Sequence, residues 1–297
     1  MLRTDLAQEA RELWAEEEGG GLPPGVTAET AEEEGTAVEI LTVASPEGAA
    51  ALGKPQGVYV TLTPGALLRR EEGAFDRAAL ALGRQLRRLL DLAPEAAVLA
   101  VGLGNEAVTP DSLGPRAMRH VLATRHLKEA LPETFGAFRR VAVLETGVLG
   151  NTGLESAELV RAVTEKLRPD AVIAVDALAS RRLGRVCRTV QLTDTGIVPG
   201  AGVGNRRAAL NRETLGIPVL ALGVPTVVDA ATLAADLTAR AGMGRPAPAD
   251  FGSHAAEMIL TPREIDERIT RAARLLGYGI NLALHDLSPA DVTALLG

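Results

Sequence analysis

Short apolar runs that alternate with helical segments constrain the fold of this chain more than any other feature. A-A-V-L-A-V, V-A-V-L-E and A-V-I-A-V occupy residues 96–101, 141–145 and 171–175. Two further strand patterns lie at 186–192 and 217–222. Such runs, separated by helices, are typical of strands that are buried on both faces. The sequence therefore predicts an α/β fold, with a mostly parallel sheet sandwiched by helices.

Other periodic segments extend this core on both sides. Alternating apolar and polar residues between 36 and 63 predict two extra N-terminal strands. Leucines at helical spacing predict an amphipathic helix over 74–92. Further helices are predicted at about 113–126 and 154–167. The tail, residues 253–297, is predicted to be helical, with Thr261 as an N-cap and Pro262 in the first turn.

Residues 1–35, the acidic head, differ from the rest in charge. They carry ten acidic and two basic side chains, a net charge of −8, whereas the whole chain carries −7. A helix is predicted over 4–18, and the breaker cluster G-G-G-L-P-P-G follows at 19–25. We expect residues 1–35 to form a mobile or detachable head, and residues 36–297 to form a single α/β domain.

Composition excludes several classes of protein. One cysteine, Cys187, cannot form an internal disulfide or a cysteine-based zinc cluster. Aromatic residues make up 2% of the chain and the body is nearly neutral, which argues against direct nucleic-acid binding. The sequence contains neither a secretory signal pattern nor an apolar run of membrane-spanning length. We therefore expect a cytoplasmic protein without a membrane partner.

Two aspartates follow apolar runs and are the first candidates for a catalytic site. Asp111 stands in V-T-P-D after the first run, and Asp176 directly follows the third. Ligands of open α/β sheets bind at the carboxyl ends of the strands, so the two carboxylates are expected to face each other there. Such a pair can share a proton and activate water, or hold a metal. Alternatively, Asp111 caps its helix and Asp176 binds loop amides.

Two further motifs leave other readings open. G-L-G-N-E-A (102–107) matches the dinucleotide fingerprint G-x-G-x-x-A, but V-T-P-D separates it from the helix, and the acidic residue expected about 20 residues on is missing. A nucleotide-binding module remains an alternative on this ground. D-T-G at 194–196 is similar to the catalytic loop of pepsin-like proteases, although Asp194 also fits a simple turn.

A set of long motifs resembles the germination proteases of endospore-forming bacteria. The motifs run in order from Gly102 to Ala230. They are G-L-G-N-x-x-V-T-P-D-x-L-G-P, T-R-H-L, G-x-x-G-x-T-G-x-E, I-A-V-D-A-L-A-S-R, D-T-G-I-x-P-G-x-G-V-G-N, E-T-L-G-I-P-V and G-V-P-T-V-V-D-A. In addition, R-T-D-L-A at 3–7 looks like the propeptide junction of that family.

The resemblance implies a homotetrameric endopeptidase of the spore core, made as a zymogen, with a fold related to the hydrogenase-maturation proteases. It would initiate the degradation of small acid-soluble spore proteins at germination, cutting after an acidic residue and before a hydrophobic one. Asp111 and Asp176 correspond to the catalytic pair of an atypical aspartic protease, for which we expect no metal or other cofactor. The alternative is a nickel-sensing, maturation-type peptidase that uses the same carboxylates.

Two further site predictions rest on this resemblance. The chain is expected to cut itself between Asp5 and Leu6, because this junction has the acidic-then-hydrophobic form that the family favours. Arg181, Arg182 and Arg185 lie a few residues after Asp176. We predict that these arginines bind the acidic side chain of the substrate, since guanidinium groups pair well with carboxylates.

Overall fold

The computed structural model describes residues 4–200, 208–244, 246 and 248–296. These residues form one sheet of nine strands. The strands are β1 (Val26–Glu33), β2 (Thr36–Val43), β3 (Gly57–Thr63), β4 (Val98–Gly102), β5 (Val141–Glu145), β6 (Ala171–Ser180), β7 (Val190–Thr193), β8 (Val219–Asp229) and β9 (Ile259–Leu260).

The sheet has a parallel half and an antiparallel half. Its order is β1-β2-β3-β7-β8-β6-β4-β5, with β9 paired to β8 outside this path. The strands β5, β4, β6 and β8 run parallel, whereas β7, β3, β2 and β1 continue the sheet in antiparallel pairs. The predicted α/β class with extra N-terminal strands is confirmed, but the predicted mostly parallel sheet is wrong: the sheet is mixed, because β7 and the N-terminal strands pair antiparallel.

Helices cover both faces of this sheet. They are α1 (Ala7–Glu18), α2 (Pro46–Leu52), α3 (Gly65–Leu68), α4 (Ala74–Leu90), α5 (Leu113–Met118), α6 (Arg125–Ala130), α7 (Pro132–Phe135), α8 (Leu149–Thr152), α9 (Ser156–Leu167), α10 (Arg212–Leu215), α11 (Ala230–Arg240), α12 (Gly252–Glu257), α13 (Ile265–Leu284) and α14 (Pro289–Leu296). On one face α4, α5 and α13 pack on the sheet; on the other, α9 packs on β4 and β6.

The N-terminal part of the sheet begins earlier than predicted. All eight residues of β1 pair with β2, so the predicted start of the sheet at residue 36 is wrong. The helix α1 begins at Ala7, after Leu6, rather than at residue 4. Its Ala7 and Ala10 pack with Tyr59 of β3 in a small apolar cluster. Residues 4–35 therefore contribute elements that lie directly against the body.

Two predicted helices have different bounds because polar side chains bind elsewhere. The helix predicted over 113–126 ends at Met118, since the Thr124 hydroxyl donates to Arg139 O and accepts from Val141 N, which ties the turn to β5. In the tail, Thr261 donates its hydroxyl hydrogen to Thr226 O, and α13 begins only at Ile265. The predicted N-cap at Thr261 is therefore wrong.

The strands β6 and β8 extend well beyond their predicted ends. The apolar runs stop at residues 175 and 222, but the strands continue to Ser180 and Asp229 because they pair with each other along this length. A register shift interrupts the pairing between Leu178 and Ala179. The extensions project past the end of β4 and provide the floor of the candidate site.

Candidate active site

Asp176 lies inside β6, not at its end as the sequence predicts. The apolar run stops there, but the backbone remains paired, with Asp176 opposite Gly223 of β8. Its Oδ1 accepts a hydrogen bond from Ala177 N at 2.8 Å, and the side chain is buried. Since β4 ends at Gly102, opposite Val175, Asp176 lies one residue beyond the end of β4.

The loop that leaves β4 positions Asp111 beside this point. Gly104 has a φ of 110°, and a Cβ atom there would lie 2.1 Å from the Asp111 carbonyl oxygen. Glycine therefore permits the loop to fold back on itself. Asp111 ends a 3-10 turn (Thr109–Asp111), and its Oδ2 accepts a hydrogen bond from Asn105 N at 2.8 Å. The following helix α5 takes Ser112 as its N-cap, so the carboxylate of Asp111 binds the loop instead.

One cavity of about 500 Å³ brings the two aspartates together. Asp111 and Asp176 line it, and Asp5 of the predicted junction lines it as well. Side chains alternate along a strand; because Ile173 and Val175 belong to the core under α4 and α13, Asp176 points to the α9 face. The rim includes apolar side chains from several loops and strands: Val108, Val148, Val198 and Ile259.

The junction segment (residues 4–7) bonds to β6, and its Asp5 lines the cavity. Asp5 N donates to Ala179 O at 2.9 Å, and Ala179 N donates to Asp5 Oδ2 at 2.7 Å. Both backbone groups of Ala179 are thus used at the position of the register shift. Leu6 and Ala7, which follow Asp5, are fully buried.

Two polar side chains hold the carbonyl oxygen of Asp5. Lys54 Nζ donates to it at 2.9 Å, and Gln191 Nε2 donates to it at 3.1 Å. Lys54 Nζ also donates to Thr4 O at 3.1 Å, and Gln191 Oε1 accepts from Ala7 N at 2.7 Å. The segment is therefore fixed on both sides of the bond between Asp5 and Leu6.

Burial affects the charges of this cluster. It raises the pKa of Asp5, an effect that the nearby Lys54 ammonium and the hydrogen bond from Ala179 partly offset. Burial likewise lowers the pKa of Lys54, and the carboxylates of Asp5 and Glu9 oppose this shift. The carboxylate of Asp5 and the ammonium group of Lys54 therefore stabilise each other's charged form, which burial disfavours.

The three arginines predicted to bind substrate contact helix α1. Arg181 is fully buried and forms two hydrogen bonds of 2.9 Å with the carboxylate of Glu16. Arg182 also bonds to Glu16, and Arg185 bonds to Glu9 and Glu12. The arginines are thus engaged by the acidic side chains of the head, while the Asp5 carboxylate accepts from the backbone of Ala179.

Two other residues from the sequence analysis have structural contacts. Asp194 accepts a hydrogen bond from Val58 N at 2.7 Å through Oδ1 and so holds the first residues of β3. Cys187 is partly buried, and this burial raises the pKa of its thiol to about 11, so it is a poor nucleophile at neutral pH. Within the described ranges, no three His, Cys, Asp or Glu side chains are grouped so that they could hold a metal ion.

The sequence analysis missed Lys54, Gln191 and Ala179. Ala179 binds Asp5 through its backbone N–H and carbonyl groups, which every residue type except proline has, so the sequence gives no sign of this contact. Gln191 lies in a short strand whose neighbours are apolar, where a polar residue is a weak signal of a buried contact. Lys54 carried a clearer signal. The chain has only three lysines beside 28 arginines, so a lysine is an unusual choice of basic residue in this sequence. A lysine supplies a compact charge with three donors, which suits two neighbouring carbonyls.

Together, the fold and the site define an α/β protein with a cavity lined by Asp111, Asp176 and Asp5 of its own N-terminal segment. A family model described as germination protease matches residues 4–240. The germination protease of Caldanaerobacter subterraneus subsp. tengcongensis is 41% identical, with 96% of this chain and 94% of that protein covered. The germination protease of Clostridium perfringens (strain ATCC 13124) is 40% identical, with 96% and 95% covered. The chain therefore belongs to the germination protease family, and it is a peptidase of spore germination.

Among solved structures, a [NiFe] hydrogenase maturation protease, HycI from Thermococcus kodakarensis, is similar to part of the chain. It is 18% identical, with 66% of this chain and 99% of that chain covered and a TM-score of 0.37. At this level of similarity, the fold class rests on the sheet itself. No helix in the described part of the chain is long and apolar enough to cross a membrane.

Proposed function

We propose that the protein is an atypical aspartic endopeptidase that initiates the degradation of small acid-soluble spore proteins. It cuts after an acidic residue and before a hydrophobic one, with Asp111 and Asp176 as the catalytic pair. The protein needs no metal in this proposal. Family membership does not favour the alternative of a nickel-sensing, maturation-type peptidase.

One observation carries this proposal: Asp5, whose backbone is held by hydrogen bonds and which begins an acidic–hydrophobic dipeptide, lines the same cavity as Asp111 and Asp176. The acidic side chain of Asp5 accepts from Ala179 N, which supports a site that prefers an acidic residue before the cut. The apolar rim and the burial of Leu6 are consistent with a hydrophobic residue after it.

Hydrolysis in this site needs one aspartate as general base and one as general acid. The ionised carboxylate takes a proton from water as the water oxygen attacks the carbonyl carbon. The protonated carboxyl then gives its proton to the departing nitrogen as the C–N bond breaks. Two carboxyl groups in one cavity favour this division, because like charges in a confined space disfavour ionisation of both.

The same reaction on the bond between Asp5 and Leu6 would convert a zymogen into a shorter enzyme. The position of Asp5 in the cavity of its own chain supports such self-processing. Helix α1 would remain in place after the cut, since Arg181, Arg182 and Arg185 bind its glutamates. The proposal also includes a homotetramer in the spore core, as the resemblance implies. Light scattering on the purified chain tests this assembly.

The proposed function is tested by incubating the purified chain with a small acid-soluble spore protein and mapping the cuts by mass spectrometry. The expected cuts follow Asp or Glu and precede a hydrophobic residue. A substrate with these acidic residues changed to Asn or Gln should remain whole and serves as the control. Cuts that ignore the acidic residue, or an intact substrate under all conditions of assembly and pH, would contradict the proposal.

A further inference from the structure

The geometry points to Lys54 and Gln191 as the pair that binds and polarises the carbonyl of the bond to be cut. This inference rests on the proposed function, and it assigns two further catalytic residues to the same site. It concerns the junction and external substrates alike, because both would present an acidic residue's carbonyl at the same position.

The contacts of Asp5 O support this assignment. It accepts hydrogen bonds from Lys54 Nζ at 2.9 Å and from Gln191 Nε2 at 3.1 Å, so two donors converge on one carbonyl. Gln191 is buried, and its Oε1 is held by Ala7 N at 2.7 Å, which orients the amide so that its NH₂ group faces Asp5. Both donors therefore have fixed positions before any reaction begins.

The sheet places this pair beside a catalytic aspartate. Gln191 of β7 is opposite Gly223 of β8, and Gly223 is opposite Asp176 of β6. Residues aligned across neighbouring strands point to the same face, and strands lie about 4.8 Å apart. The row therefore puts Gln191 and Asp176 on one face, two strand spacings apart. Gly223 lies between them under the Leu178 side chain, since a Cβ atom there would lie 2.7 Å from Leu178 Cγ.

The role follows from the charge that hydrolysis creates. When the water oxygen bonds to the carbonyl carbon, the π electron pair moves to the carbonyl oxygen, and the water proton passes to the basic aspartate. The negative charge on oxygen then faces an ammonium group and an amide N–H. When the pair returns, the C–N bond breaks, and the acidic aspartate protonates the nitrogen of the leaving residue. Donors fixed in advance at this oxygen lower the barrier.

The test compares Lys54→Met and Gln191→Glu with the unchanged chain on a labelled peptide that has the sequence of residues 1–10. Gln191→Glu keeps the size of the side chain and an acceptor for the N–H of the second residue after the cut, but removes the amide donor. Lys166→Met is the matched control, because Lys166 is an exposed lysine on α9. Thermal unfolding reports whether each variant is folded.

We expect kcat to fall about 100-fold for each folded site variant, with KM within about threefold, because the donors act mainly on the transition state. The control should keep the original kcat. A normal kcat in folded Lys54→Met or Gln191→Glu would overturn the assignment, as would a rise in KM alone. If the unchanged chain cuts neither its own junction nor the peptide, the proposed function fails instead.

A second measurement does not depend on activity. In an Asp176→Asn background, which would keep the junction uncut, the carbonyl carbon of Asp5 is labelled with ¹³C and observed by NMR. Lys54→Met should shift this signal towards the value of a carbonyl with fewer hydrogen bonds, and Lys166→Met should leave it unchanged. An unchanged signal in Lys54→Met would show that the lysine does not bind this oxygen, and would also overturn the assignment.

Discussion

Arg181 shows how a single side chain joins the acidic head to the body. It is fully buried, bonds to both carboxylate oxygens of Glu16, and lies 3.6 Å from the buried Asp236 carboxylate. Arg182, its neighbour in sequence, is 38% exposed and bonds to the same Glu16. A buried charge that loses its partner is costly, whereas an exposed pair contributes little.

Arg181→Met should therefore destabilise the protein by about 3 kcal/mol, because Asp236 would be left as an uncompensated buried charge. Arg182→Met should cost less than about 1 kcal/mol. Chemical denaturation of both variants measures the difference. Equal losses of stability would contradict this account. A higher KM for Arg182→Met at unchanged stability would support the substrate-binding role that the sequence predicts.

Helix α13 places a neutral histidine in the core. His285 is its C-cap, and the imidazole is buried against the Phe138 ring at a centroid distance of 5.1 Å. Burial, together with the nearby Arg139 charge, lowers the pKa of His285 to about 4 from an ordinary value of 6.5. Between these two values the unfolded chain binds a proton that the folded chain does not.

The contribution of His285 to stability should therefore be complete above about pH 6.5 and be lost as the pH falls towards 4. At pH 5 the loss is about 2 kcal/mol relative to pH 7. His285→Leu should remove this part of the pH dependence, while the exposed His126→Leu should retain it. Urea unfolding at pH 7 and pH 5 tests this. The same pH dependence in both variants would contradict the assignment.

At the level of elements, the sequence predicted those strands whose own residue pattern favours a buried strand. Continuous apolar runs located β4, β5 and the start of β6, because a strand buried on both faces needs them. The extensions of β6 and β8 could not be predicted, since long-range pairing holds Asp176, Gly223 and Pro225 in a strand. For the same reason β1, with its many glutamates, was not predicted: β2 holds it in the sheet.

The sequence predicted the two aspartates of the candidate site, but not the hydrogen-bond donors Lys54 and Gln191. The rule that ligands bind at strand ends selected Asp111 and Asp176, and the structure brings both to one cavity. Lys54 precedes β3, far from either aspartate in sequence, and Gln191 lies in β7, a separate strand after Asp176. Antiparallel pairing of β3, β7 and β8 brings them to the site, and nothing local encodes that pairing.

At the scale of the whole molecule, Asp5 of the junction segment lines the cavity of its own chain. Cutting between Asp5 and Leu6 should therefore be intramolecular. The half-time of processing should stay constant when the protein is diluted over a hundredfold range, and the product should begin at Leu6. N-terminal sequencing and intact mass at each concentration provide the measurement. A half-time that lengthens in proportion to dilution would show that one molecule cuts another.

The most direct test of the central claim, that Asp111 and Asp176 carry out the reaction, compares three matched variants. Asp111→Asn, Asp176→Asn and Asp194→Asn are assayed on a small acid-soluble spore protein, and circular dichroism verifies that each is folded. The first two should lose at least about 100-fold in rate. Asp194→Asn should remain active, because that carboxylate binds the backbone of β3. A well-folded Asp176→Asn protein that cuts at nearly the original rate would contradict the account.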